Sequence, residues 1–393
     1  MGARLGQLAL VLVSVGARLI FLAYRILITA LVAAFVVVPL YALLSWLGCS
    51  ACVEGAARPY WWWAHAALTL LLVCLTYKRH PGKDNPYRRY VGVAGWLNKM
   101  VDRFIAWIGT LKYFTSPLSL VEDPGSYKIK GDEIRTLIDT ELQAGDILLR
   151  GYDGYLDGVM IGLSGGGQGI GRHFSHAALY LGDLDDQADR QIVARRLEVM
   201  DDGGHWVPAS EAAKEAVRHD KGYYDPGRQR VVHSMGKGVF VEDILTFLRC
   251  DYLVVLRLPD NIKLDADDLQ EDRSLIKELA QDAEAIRRKL LAGAAVTKAE
   301  VLDAVRRSAL GKIGSCYDFQ FNDGKKHNRF SCSEFVYYCY KSIHCYLGLQ
   351  LTRRAFMKIF FPRTTITPAD IYDAAVRRGK LQVAWTSRSL EKK

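Results

Sequence analysis

Two apolar runs dominate the first eighty positions. Ile26 to Leu47 is 22 residues without a charge, enough to cross about 30 Å of hydrocarbon at about 1.5 Å per residue. Pro39 inside it is tolerable in a membrane helix. Tyr60 to Tyr77 is a second run of 18 residues, interrupted only by His65 and opened by Trp61, Trp62 and Trp63 like an interfacial aromatic belt. The alternative for either run is a buried core helix. Residues 5–24 are apolar around Arg18 and predict an interfacial helix or an extension of the first span. In residues 91–114, Leu97, Met100, Val101, Phe104, Ile108 and Leu111 recur at helical spacing, with Asn98, Lys99, Asp102 and Arg103 on another face. That pattern predicts an amphipathic helix, lying in a membrane plane or packed on a domain.

After Pro124 the periods shorten. Glu141 to Leu149 predicts a turn running into a short buried strand, Phe174 to Gly182 a strand carrying His176, Arg230 to Ser234 a strand carrying His233, and Tyr252 to Leu258 an apolar strand. Residues 264–310 predict mostly helix, with Thr297 and Glu300 as a capping box before Val301, Leu302, Val305 and Leu310. The glycine-rich stretch from Ser164 to Gly171 matches no dinucleotide or Walker pattern and predicts a mobile loop rather than a phosphate cradle.

Charge sharpens this division. Residues 1–130 hold fourteen Lys and Arg against five Asp and Glu, so they carry the whole net charge of +9. Residues 131–393 hold 38 of each sign. A basic excess confined to the apolar third flanks a membrane rather than forming a nucleic-acid surface, and no zinc-finger or P-loop spacing is present. Arg4, Arg18 and Arg25 precede the first run and Lys78, Arg79, Lys83, Arg88 and Arg89 follow the second; the link between carries only Glu54 and Arg58. Positive charge on both outer flanks predicts a hairpin with both ends in the cytoplasm. The eight cysteines show no disulfide framework over residues 131–393, which suggests a reducing compartment.

Candidate chemistry centres on Phe330 to Val336. Ser331 and Glu334 form a capping-box pattern ahead of Phe335, Val336, Tyr337 and Tyr338, so Cys332 falls in the first turn of a helix. Backbone N–H groups and the helix dipole there favour a thiolate, the nucleophilic form; the alternative is a structural cysteine after a cap. A thiol nucleophile needs a base and a group to orient it, and histidine is the natural base near neutral pH. His176 and His233 lie on predicted strands, each by itself compatible with a structural role. His344 is twelve positions along from Cys332 and too far to serve. His173 with His176 suggests a metal pair, but no further ligand stands at a recognisable spacing, so no metal and no other cofactor is expected.

The series Gly145-Asp146-Ile147-Leu148, Phe174-Ser175-His176-Ala177, Gly236-Lys237-Gly238-Val239, Tyr317-Asp318, Cys332-Ser333-Glu334-Phe335-Val336 and Thr367-Pro368-Ala369-Asp370 resembles the YiiX/YebB-like family. That family belongs to the permuted branch of the NlpC-type papain-like cysteine hydrolases, which the lecithin:retinol acyltransferase-like proteins share. The resemblance covers roughly residues 141–375. It implies Cys332 as nucleophile, His176 as general base, His233 at the third polar position and Tyr317 as a helper at the oxyanion, a tyrosine equally suited to packing. YiiX-like members often carry glutamate where His233 stands, while the retinol acyltransferase-like group carries histidine. This departure weakens any transfer of substrate from the YiiX group.

The expectation is therefore an α+β chain: a transmembrane hairpin over residues 1–80, with spans at 26–47 and 60–77, an amphipathic linker over 81–130, and a circularly permuted papain-like domain with an antiparallel sheet over 131–380. Insertions at 184–229 and 262–295 lengthen that domain. The expected location is integral to a bacterial inner membrane, with the catalytic domain cytoplasmic. The expected activity is hydrolysis or acyl transfer through a thioester, on an ester or amide of a lipid or lipid-linked substrate. The competing readings are an amidase or peptidase cutting a peptide or isopeptide bond, and an inactive membrane-bound binding protein. Membrane lipids and a lipid or acylated small molecule are the expected partners; nucleic acid is not.

Overall fold

The computed structural model describes residues 111–115, 118–122, 127–155, 169–185, 198–200, 206–208, 223–264, 281–318, 329–354 and 363–391, the helical residues 62–71, and nine further positions. The chain divides into two units, one of residues 1–105 with 200–206, the other of 106–199 with 207–393.

The expected transmembrane hairpin is corrected. Among the described residues no helix is long and apolar enough to cross a membrane. Among the described residues, 62–71 are helical. His65 within this stretch has Nε2 2.9 Å from the Ala30 carbonyl oxygen. The expectation of an integral membrane protein falls with the hairpin. Residues 5–24, most of 26–47, the proposed amphipathic helix over 91–110 and the glycine-rich positions 162–168 lie outside the described residues. Residues 111–115 pair as a strand with 118–122, so the helical reading does not hold at Leu111.

The second unit is α+β. It is built on six antiparallel strands: β1 (Ile147–Gly151), β2 (His176–Leu184), β3 (Gly227–Met235), β4 (Gly238–Asp243), β5 (Tyr252–Arg257) and β6 (Gln382–Thr386), in the spatial order β6-β5-β1-β2-β3-β4. Successive side chains of a strand point to opposite faces, and the sequence fills both faces with apolar groups. Ile147, Leu149, Ala177, Leu179, Val232, Val254 and Leu256 point to one face. Leu148, Ala178, Tyr180, Val231, Leu253 and Val255 point to the other. Strands buried on both sides read as continuous apolar runs, and this is why β1, β2 and β5 were visible as strands.

The first face is covered by α3 (Gln281–Leu291), α4 (Lys298–Leu310) and α5 (Cys332–Cys339), through residues such as Val301, Val305, Phe335 and Val336. The second is covered by α1 (Gly131–Thr136), the turn that follows it, and α2 (Ile244–Phe247), through Leu137, Ile244 and Phe247. α5 packs against β2 and β3. α6 (Pro368–Arg378) begins at a capping box of Thr367 and Asp370.

The β3–β4 hairpin closes tightly, with Met235 opposite Gly238. Gly238 has φ +113°, and a Cβ there would stand 2.2 Å from the Ser315 carbonyl oxygen. Only glycine meets both conditions. Its bare backbone lets Val239 N–H donate to that oxygen at 2.8 Å, while Gly314 N–H donates to the Val239 carbonyl at 2.9 Å. The segment leading to Tyr317 is thereby tied to the sheet.

Candidate active site

Cys332 is the first residue of α5, and the cap forms as the sequence requires. Ser331 is the N-cap with φ −72° and ψ 169°. Its N–H donates to Glu334 Oε2 at 3.1 Å, and Glu334 N–H donates back to Ser331 Oγ at 3.4 Å. Thr365 Oγ1 donates to the other carboxyl oxygen at 3.0 Å. Replacing such a cap costs about 0.5–2 kcal/mol, so the thiol stands on a fixed backbone. Burial and then the neighbouring Asp318 push the Glu334 carboxyl up to about 8.

The thiol is buried, 4 % exposed. Its Sγ lies 4.0 Å from the Ser175 carbonyl oxygen and 3.7 Å from Ser333 Oγ. Burial raises its pKa above the ordinary thiol value, and the backbone amides of Ala177 and Ser333, with the Ser333 hydroxyl, offset this only in part. The expectation that the helix start alone would favour a thiolate is therefore corrected: desolvation outweighs the helix terminus at this position.

His176 opens β2, and His233 lies opposite Ala178 on β3. Strand alternation puts both rings on the face that carries Phe247, at centroid distances of 5.9 and 5.5 Å from it. His176 Nε2 stands 2.8 Å from His233 Nδ1. Burial lowers both pKa values well below the ordinary histidine value, with Arg150 adding to the effect on each and the neighbouring ring adding at His233. Both imidazoles are neutral near pH 7. No hydrogen bond joins Cys332 to either ring; the thiol rests beside the β2 backbone at Ser175 and Ala177.

Tyr317 lies on a two-residue strand paired in parallel with Arg329–Phe330, opposite Phe330, which stands two positions before Cys332 in the chain. It is not among the hydrogen-bond partners of Cys332. His173 lies in a turn against Tyr252, at a centroid distance of 5.0 Å. No cluster of metal-ligating side chains occurs among the described residues.

Two residues join this site that the sequence reading did not select. Glu242 on β4 lies opposite Val231, on the face of His233. Its Oε2 is 3.4 Å from His233 Nε2. The contact is off the line of a full hydrogen bond, and neither atom has a hydrogen-bond partner among the described residues. Arg150, at the end of β1, is 5 % exposed. Its Nη1 donates to the Phe247 carbonyl at 2.7 Å and lies 3.9 Å from Glu242 Oε2, and its guanidinium sits 4.1 Å from the Phe247 ring centroid. A signal for Glu242 was present: a tight turn at Gly236-Lys237 fixes the register, and period-two alternation then carries Phe240 and Glu242 to the face of His233.

No family model matches the chain, and neither a curated protein nor a solved structure matches it. The resemblance to the permuted papain-like branch thus rests on the motif series alone.

Proposed function

We propose that this protein is a cysteine hydrolase or acyltransferase working through a thioester. The observation that carries the reading is a thiol at the first position of a fully capped helix, packed on one face of two strands whose opposite face bears a contacting pair of neutral imidazoles. His176 takes the thiol proton as Sγ of Cys332 attacks an ester or amide carbonyl. The new C–S bond leaves an oxyanion facing the N–H groups of the helix start, which no intrahelical partner uses. The imidazolium returns the proton to the leaving alcohol or amine, and water or another acceptor then opens the thioester.

Burial opposes a standing thiolate–imidazolium pair, so in this mechanism the proton moves as the sulfur attacks. The thiol and the imidazoles are not hydrogen-bonded and stand on opposite faces of the sheet, so the transfer requires the His176 ring at the start of β2 to swing toward the helix start when substrate binds. Without a membrane-crossing helix among the described residues, the substrate class is confined to esters and amides.

The test offers the full chain a phospholipid and, separately, an acyl-amino-acid amide. Acid quenching and mass spectrometry then look for an acyl adduct on Cys332. The expected result is an adduct and turnover with at least one substrate, both lost in Cys332→Ala. Turnover that survives Cys332→Ala overturns the reading. One observation favours a second reading, a binding protein with a degenerate site: the resting thiol is protonated and has no imidazole partner.

A further inference from the structure

A neutral imidazole carries one hydrogen, on Nδ1 or on Nε2, and the bare nitrogen alone can act as a base. For His176 the choice is settled two side chains away. Both His176 and His233 are neutral, so the 2.8 Å contact between His176 Nε2 and His233 Nδ1 contains a single hydrogen. The other nitrogen of His233 faces Glu242 Oε2, and both of those atoms are buried. An ionised carboxylate only accepts. Across this 3.4 Å contact it favours the His233 hydrogen on Nε2, electrostatically rather than through a full hydrogen bond. His233 Nδ1 is then bare and accepts from His176, whose hydrogen must sit on Nε2. His176 Nδ1 is left with its lone pair.

A protonated Glu242 reverses every step. Its O–H donates to His233 Nε2, the His233 hydrogen moves to Nδ1 and donates to His176 Nε2, and the His176 hydrogen moves to Nδ1. The ring then has no free lone pair outside the chain of contacts.

We propose that Glu242 is a positioning residue that sets the tautomers of His233 and His176, so that its ionisation decides whether His176 Nδ1 is a base. The catalytic consequence rests on the reading of His176 as the base for Cys332; the tautomers do not. The groups that act on Glu242 are His233 from β3, Arg150 and Tyr152 from β1 and its end, Lys237 from the hairpin turn and its neighbour Asp243. Burial raises the Glu242 pKa above the ordinary carboxylate value; Arg150 and Lys237 pull it down and Asp243 pushes it up. The base form is present above that pKa and lost below it.

The test is two-bond 1H–15N NMR of histidine-labelled full-length protein across pH, with the two rings assigned by His176→Gln and His233→Gln. At mildly alkaline pH both rings should be Nε2–H tautomers, and His233 should move to Nδ1–H as Glu242 takes up its proton. In Glu242→Gln, which keeps shape and removes the titration, the tautomers should stop following pH. Glu242→Leu should remove the Nε2–H preference. An Nδ1–H His233 in the wild-type protein at alkaline pH, or tautomers in Glu242→Gln that follow pH as in the wild type, overturns the proposal. With a turnover substrate, Glu242→Gln should lose the acid limb of the kcat/KM profile, and Glu242→Leu should lower kcat/KM by up to about 10²–10⁴-fold, the range for general acid–base catalysis. Tautomers that behave as stated while Cys332→Ala stays active would remove the hydrolase reading and leave this one standing.

Discussion

At the scale of single residues, the site is governed by desolvation. Cys332 is pushed up and His176 pulled down by burial at each, so the resting groups are a neutral thiol on one face of the sheet and neutral rings on the other. Alkylation of Cys332 by iodoacetamide should therefore be slow near pH 6 and keep rising past the ordinary thiol value of 9.0. A fast, flat rate from pH 6 upward, read by mass spectrometry, would mean that a thiolate stands ready and that this account is wrong. The sequence could place Cys332, His176 and His233 because a cap pattern and strand patterns are local. It could not weigh a helix terminus against burial, since burial depends on which strands lie beneath the helix. Arg150 was out of reach for the same reason: its value lies in a carbonyl at Phe247, 97 positions away.

Among the elements, α5 holds Cys332 on a cap that is also a proton store. Folded Glu334 keeps its proton up to about 8 and releases it near 4.5 when unfolded. The folded state thus holds the extra proton between those values, and the contribution to stability falls as pH rises through them. His176 and His233 act in the opposite sense, because the unfolded rings take up protons below 6.5 that the folded rings refuse. Urea unfolding midpoints should peak close to pH 6.5, and Glu334→Gln should flatten the decline on the alkaline side. An alkaline decline of unchanged slope in Glu334→Gln would count against the assignment. The β3–β4 hairpin gives a second prediction: Gly238→Ala adds a Cβ at positive φ against the Ser315 carbonyl, and should destabilise the unit by about 1–3 kcal/mol, with a lower thermal midpoint as the readout. The element pattern is largely legible here, since β1, β2, β3, β5 and the capped helices α4 and α5 stand where periodicity and caps put them. β4 was not read as a strand, and Glu242 was missed with it.

For the whole molecule, the sheet is closed by the end of the chain. β6 pairs with β5, with an irregularity between Val383 and Trp385. Ser387 N–H then donates to the Leu253 carbonyl at 2.9 Å while Leu253 N–H donates to Ser387 Oγ at 3.1 Å, and Arg388 N–H reaches Glu133 Oε1 at 2.8 Å. This strand lies beyond the expected domain end at residue 380, because five residues with exposed Gln382 and Val383 show too little alternation to announce a strand. Truncation after Gly379 leaves β5 as an open edge of Leu253, Val254, Val255 and Leu256, the kind of edge that recruits other chains; the truncated protein should elute as aggregate in size exclusion, and a monomeric product would show that β6 is dispensable. The same placement sets a timetable for synthesis. About 125 residues separate Arg257 from Gln382, which at roughly 5–20 residues per second leaves β5 without its outer neighbour for about 6–25 s on the ribosome. The nascent chain exposes the hydrophobic edge of its own scaffold throughout the interval in which the cysteine helix is made, and so becomes a client for whatever chaperone waits at the exit tunnel.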